Sequence, residues 1–253
     1  MRILLTNDDG YRAPGINQVF HALLAAKHDV VIVAPELNSS GASQSIAVYT
    51  PIEIHKVHDR IHYVSTTPAD SVRLGLQIIY HQVKNYPDLV ISGVNQGENV
   101  GDDIIYSGTV GAAREAALHG IPAIAFSTSG HEFPHLDAAA AVVVNLISRL
   151  EKNSEVLKEP FLWNVNIPNK PYDQIGEFEV TELGKRKAHQ PFEKQTTPRG
   201  RVIYWQGLPG TPEDDQLGTD IAVQLAGKNV SITPLQILPT DYNQMPVIAA
   251  LSV

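Results

Sequence analysis

The stretch "ILLTNDDGYRAPG", Ile3 to Gly15, decides how the chain is read. It is a buried strand that stops abruptly at two adjacent carboxylates, Asp8 and Asp9, followed by a glycine. Neighbouring like charges repel, and each resists ionising beside the other. Within a strand the two side chains would point to opposite faces. Past its end, with Gly10 loosening the backbone, both can turn toward one ion. Two carboxylates joined by neutral oxygens make a hard-cation site of the Mg²⁺ or Mn²⁺ type. The plainer alternative is that Asp8 caps a turn and Asp9 is solvated.

Outward from that strand the chain alternates. "INQVFHALLAAKH" (Ile16 to His28) has apolar residues at Ile16, Val19, Phe20, Leu23 and Leu24, a helical spacing. "DVVIVAP" (Asp29 to Pro35) is a β-branched strand closed by proline. "IHYVSTTPADSVRLGLQII" runs from strand through turn to helix, with Asp70 or Ser71 near the helix start. "PDLVISGVN" (Pro87 to Asn95) is a buried strand, and "SGTVGAAREAALHG" (Ser107 to Gly120) is an alanine-rich helix stopped by Gly120. "IPAIAFS" and "FLWNVNIP" are further strands, separated by a long helix over Asp137 to Lys152 that Asp137 is expected to cap. This pattern predicts an α/β fold, a mostly parallel sheet with helices on both faces. Ligands of such sheets bind beyond the carboxyl ends of the strands. The rule gathers Asp8, Asp9, the Asn38–Ser45 loop, Asn95, Asn99 and His131 on one rim. From about Glu177 the pattern changes. "EFEVTEL", "RVIYWQG" and "KNVSITPL" have no helices between them and predict antiparallel hairpins or an extension beyond the core.

At 253 residues, 43% hydrophobic and 18% charged, the chain is an ordinary globular protein with room for a sizeable core. Its net charge of -8 argues against binding a nucleic-acid polymer, which wants a basic stripe. No apolar run approaches the roughly 20 residues of a membrane helix. The start lacks the basic-then-apolar pattern of a signal peptide, and the absence of cysteine fits a reducing cytoplasm. The expectation is a cytoplasmic protein without a membrane partner.

Three more segments carry chemistry. "NSSGASQS" (Asn38 to Ser45) offers hydroxyls and backbone N–H groups around Gly41 to an anion or metal, or is a flexible serine-rich loop. Ser107, Gly108 and Thr109 open a helix, where free N–H groups and the dipole favour a phosphate. Simple N-capping by Ser107 or Thr109 is compatible with that role. Asp102 and Asp103 read as structural, since a negative pair beside a phosphate would repel it. His131, in "SGHEFPHLD", is a candidate general acid or phosphate contact. Three familiar signatures are absent. There is no G-x-G-x-x-G after the first strand, no G-x-x-x-x-G-K-[ST] and no G-x-S-x-G.

"NDDGYRAPGI", "APELNSSGAS", "SGVNQGENVGDDIIYSGTVGAAREA" and "STSGH" stand in that order, with "PRGRVIYW", "GTD" and "VSITPL" further on. Together they resemble the survival protein SurE family of metal-dependent nucleotidases, from Met1 to about Leu235. The resemblance implies one divalent cation per subunit, Mn²⁺ or Mg²⁺, on Asp8, Asp9, Ser40 and Asn95. Ser40 is selected over Ser39 because it precedes Gly41. It implies a phosphate site at Ser107, Gly108 and Thr109 with Asn99 nearby, to which Gly41 and Asn95 are added as phosphate contacts. The implied fold is a single domain over 1–253. It has a Rossmann-like core over about 1–176 and an antiparallel hairpin extension over about 177–253 that serves a homodimer or homotetramer. The implied activity is hydrolysis of nucleoside 5′- and 3′-monophosphates, with short polyphosphate as a further substrate. Asp8 and Asp9 are the catalytic pair, Asp8 being either the base for an attacking water or the nucleophile itself. The competing expectation is a metal or nucleotide sensor without turnover.

Overall fold

β1 (Arg2–Thr6) pairs in parallel with strands on both sides, and this places the rest of the molecule. One neighbour is β2 (Asp29–Pro35) and the other is β5 (Leu89–Gln96). The computed structural model describes residues 1–80, 86–130, 132–207, 210–212 and 217–251. The remaining strands of the large sheet are β3 (Ile54–His58), β4 (Ile61–Val64), β6 (Ala123–Thr128), β7 (Leu162–Ile167), β8 (Phe178–Val180) and β11 (Val230–Leu235). Their order is β3-β4-β2-β1-β5-β6-β7-β11-β8. The six strands from β4 to β7 in that order run parallel. The chain steps from β1 outward to β2 on one side, and later returns to β5 on the other. The crevice between the carboxyl ends of β1 and β5 is therefore a topological switch point.

Consecutive residues of β1 face opposite layers. Ile3 and Leu5 pack with α1 (Pro14–Ala25) and α4 (Leu136–Lys152) on one face. Leu4 packs with α2 (Pro68–Leu74) and α3 (Gly108–Leu118) on the other. Each fully buried Leu or Ile contributes about 2 kcal/mol by leaving water. That two-sided demand is why β1 reads as an unbroken apolar run.

The local chemistry adjusts several boundaries. α1 begins at Pro14, whose fixed φ suits a first helical turn, and ends before Lys27, which has a positive φ of 70°. Thr67 caps α2 by accepting from the Asp70 N–H, so Asp70 and Ser71 lie in the first turn. Asp137 does not cap α4. The cap position is His135, which makes no side-chain cap bond, and Asp137 sits in the first turn facing the dipole. β3, within "IEIHKVH", goes unannounced in the sequence, because four of its five residues are exposed at a sheet edge.

The last third differs from expectation in one respect. "RVIYWQG" does form a separate antiparallel pair, β9 (Glu193–Thr196) with β10 (Val202–Trp205). "EFEVTEL" and "KNVSITPL" instead supply β8 and β11, which join the main sheet beside β7. A short helix that the reading missed, α5 (Asp220–Ala226), precedes β11. α6 (Met245–Leu251) follows near the end of the chain. Among the described residues no helix is long and apolar enough to cross a membrane.

Candidate active site

The turn after β1 is closed by Asn7. Its side-chain amide donates to the Gly10 carbonyl at 2.9 Å, and its oxygen accepts from the Gly10 N–H at 3.2 Å. Gly10 has a φ of 100°, a conformation that side-chain-bearing residues rarely adopt. This turn presents Asp8 and Asp9 at the rim. The Ser39 N–H donates to the Asp8 carbonyl at 2.7 Å, which docks the loop after β2 onto the same turn.

Asp8 is 3% exposed. The Thr109 hydroxyl donates to its Oδ1 at 2.5 Å. A Cβ on Gly108 would lie 2.8 Å from the Asp8 Cβ, so the start of α3 reaches the carboxylate only because residue 108 has no side chain. Asp9 accepts from the Gln96 N–H at 3.2 Å and from the Asn38 amide at 3.4 Å. The β5–β6 register shifts between Ser92 and Asn95, a bulge that re-aims the end of β5. There the Asn95 amide nitrogen donates to the Gly97 carbonyl at 2.8 Å, which leaves its oxygen as an available ligand. The Ser39 hydroxyl donates to the Leu37 carbonyl at 3.3 Å. Ser40 receives Asn38 only at its backbone, the N–H reaching Oδ1 at 2.8 Å, and its hydroxyl makes no hydrogen bond among the described residues.

Burial pushes the Asp8 carboxyl up to about 6, against the lowering effect of the Thr109 hydroxyl, and the neighbouring Asp9 charge adds to the rise. Burial raises Asp9 as well, opposed by the Gln96 N–H. Among the described residues neither carboxylate has an ion-pair partner within 4.0 Å. Two desolvated acids without a cation are costly unless one is supplied from outside. No group of three or more His, Cys, Asp or Glu forms a metal cluster among the described residues. The donor set is thus two carboxylates with a hydroxyl and an amide oxygen, which suits a hard divalent cation.

On the phosphate side, Ser107 caps α3 by accepting from the Val110 N–H at 3.1 Å. The Thr109 hydroxyl is committed to Asp8, so the cap belongs to Ser107 alone. The Gly108 and Thr109 N–H groups of the first turn have no helical acceptor. Asn99 is buried and held. Its N–H reaches Asn166 Oδ1 at 2.9 Å, its carbonyl accepts from Asn164 at 2.7 Å and from Asn166 at 2.8 Å, and its amide donates to Ser127 at 2.8 Å. Gly41 is exposed, with open space where a Cβ would stand. Asp103 pairs with Arg186 at 2.8 Å, in keeping with a structural role. His131 lies outside the described residues.

Asp8 therefore meets Gly108 and Thr109 directly, Asp9 meets Gln96 and Asn38, Ser40 joins through Asn38, and Asn99 is held by β7. Asn7, Asn164 and Asn166 escaped the sequence reading. Two asparagines alternating inside the apolar strand "FLWNVNIP" were the available signal, since a buried amide in a strand needs a specific partner.

The model of the family described as "Survival protein SurE" matches residues 3–190. The chain is 46% identical to the 5′-nucleotidase SurE of Methylobacillus flagellatus, over 96% of each chain. It is 45% identical to the 5′-nucleotidase SurE of Nitrosomonas europaea, over 97% of this chain and 96% of the relative. The crystal structure of the SurE protein from Aquifex aeolicus superposes with a TM-score of 0.85 at 39% identity, covering 100% of both chains.

Proposed function

This chain belongs to the survival protein SurE family, and from that premise we propose that it is a metal-dependent phosphomonoesterase. It is a 5′-nucleotidase that releases phosphate from nucleoside 5′- and 3′-monophosphates, with short polyphosphate as a further substrate. The observation that carries the reading is the buried Asp8 carboxylate set against the start of α3, beside the partly buried Asp9, with no ion-pair partner for either among the described residues. Asp8, Asp9, Ser40 and Asn95 would hold one Mg²⁺ or Mn²⁺ per subunit, which neutralises charge on the phosphoryl oxygens when bound. The α3 N–H groups at Gly108 and Thr109 donate to the same oxygens, fixed in place before substrate arrives. Asp8, held at one oxygen by Thr109, is placed to take the proton of an attacking water. The alternative is attack by its carboxylate through Oδ2, the oxygen that Thr109 does not hold.

Self-association into a dimer or tetramer is part of this proposal. Phe192, Val202, Tyr204 and Trp205 are exposed on and beside the β9–β10 hairpin. A groove of about 700 Å³ lined by Phe161, Trp163, Leu235 and Tyr242 lies at the far end of the sheet from Asp8. The cysteine-free composition supports a cytoplasmic location.

The test is phosphate release from a panel of nucleoside monophosphates with EDTA, Mg²⁺ or Mn²⁺, comparing wild type with Asp9→Asn. The expected result is metal-dependent turnover reduced about 100-fold or more in the variant. Turnover surviving both EDTA and the substitution would discard the site. Tight nucleotide binding without turnover in the wild type would make the protein a sensor instead.

A further inference from the structure

The loop between β5 and α3 carries Asn99 and leads into Ser107, and one of its anchors comes from much later in the chain. The Asp220 side chain is fully buried at the start of α5. Its Oδ2 accepts from the Gly101 N–H at 2.9 Å, 119 residues away in sequence. Its Oδ1 accepts from the Gly184 N–H at 2.8 Å and from its own neighbour, the Ile221 N–H, at 2.8 Å. Capping α5 does not account for the first two bonds, because Thr219 already caps it through the Ala222 N–H. The two bridged backbones are in contact. A Cβ on Gly101 would stand 2.7 Å from the Gly184 carbonyl oxygen. The half-buried Arg186–Asp103 pair repeats the tie two residues further along each segment.

We propose that Asp220 is a positioning residue for the nucleotidase reaction, holding the Asn99–Ser107 loop in register with Asp8 and Asp9. It touches neither the carboxylates nor the first turn of α3. It acts through Gly101, which lies two residues after Asn99 and six before the Ser107 cap. Asn164 and Asn166 grip Asn99 from β7, and Asp220 grips the other flank of the same loop. Releasing one flank lets the loop move while β1 and its turn stay in place. Displacement of a phosphate-contacting loop by about an ångström is enough to lose turnover heavily. The inference rests on the nucleotidase reading above.

The experiment compares wild type, Asp220→Asn, Asn99→Ala and the double variant in kcat and KM for a nucleoside 5′-monophosphate. Mn²⁺ affinity is measured by calorimetry, and amide hydrogen exchange is followed over 97–107. Asn keeps the shape but puts an NH₂ group against one of the two bridged N–H donors. The expected result is a kcat reduced roughly tenfold or more in Asp220→Asn, with Mn²⁺ affinity unchanged and faster exchange at Gly101. The kcat losses of Asp220→Asn and Asn99→Ala should also fail to add, because both act at one loop. A lowered melting temperature with wild-type kcat, or fully additive losses, would overturn the proposal. Unchanged exchange over 97–107 would also overturn it, and that readout stands even if the wild type releases no phosphate, an outcome that sinks the activity and not the tie. If Asp220→Asn does not fold, Arg186→Met tests the neighbouring tie with the same readouts and the same criteria.

Discussion

The rim around Asp8 and the β9–β10 hairpin use the same chain in opposite ways. At the rim the turn and both carboxylates are held by hydrogen bonds. Asn7 closes the turn, Thr109 holds Asp8, and the Gln96 N–H holds Asp9. Along the hairpin Val202, Tyr204 and Trp205 stand half or more exposed, with Trp205 at 61%. Its indole N–H donates across the strand pair to Gln195 at 2.8 Å, but the apolar ring remains in water. One region buries acidic groups at some electrostatic cost; the other leaves apolar surface in water. Substitutions in the first should cost turnover, and substitutions in the second should cost assembly.

The sharpest way to break this contrast is Gly108→Ala. The new methyl would press on the Asp8 Cβ and lie 3.0 Å from its Oδ2. Steady-state assays should show phosphate release falling about 100-fold, with a modest loss of thermal stability. Near-normal turnover would mean that the close approach of α3 to Asp8 does not matter. Next in size is Asn166→Ala, which strips the Asn99 N–H of its acceptor in a buried setting. Urea unfolding should report about 1–3 kcal/mol of lost stability, alongside reduced turnover. A change confined to turnover would show that the site can tolerate the orphaned N–H. Trp205→Ala should move monomer stability by no more than about 0.5 kcal/mol, as for other exposed positions. Its effect is expected in sedimentation, as a shift toward smaller species, and an unchanged distribution would remove the hairpin from the assembly surface.

The smallest effect is expected at the opposite rim, at His28 before β2. Its Nδ1 lies 3.6 Å from Glu151 and 3.4 Å from the amino terminus. Burial lowers its pKa below the ordinary histidine value, outweighing the attraction of Glu151. A depressed folded value means the neutral ring is favoured in the native state. The stability this lends is present above the ordinary histidine pKa, and it is lost as pH falls through the lowered one. Urea midpoints at about pH 7.5 and about pH 5.5 should therefore differ more for wild type than for His28→Gln. Equal differences would show that other groups carry the pH dependence.

Much of the parallel half was legible because its signals are local. β2 over Asp29–Pro35 is bounded as read, and of the two caps expected, Ser107 or Thr109, Ser107 is the one formed. The Asp8–Asp9 pair was picked out by its charge adjacency and its place at the end of β1, where the structure also puts it. Where the reading failed, the cause was a partner distant in sequence. β8 and β11 looked like hairpin strands because they are short and not flanked by long helices, but what places them is the pairing of β11 with β7 and of β8 with β11. Asp220 lay unremarked within "GTD", since nothing nearby shows that its carboxylate will meet Gly101.

The sequence by itself determined the α/β alternation and the place of Asp8 and Asp9 just past the end of β1, because periodicity, capping and charge adjacency act over a few residues. The tertiary structure alone decided the shifted register after Ser92, the free hydroxyl of Ser40 against the engaged one of Ser39, and the grip of Asn164, Asn166 and Asp220 on the Asn99 loop. Those are hydrogen bonds between segments far apart in the chain. A buried donor takes whichever acceptor the fold brings to it, and that choice exists only once the layers have packed.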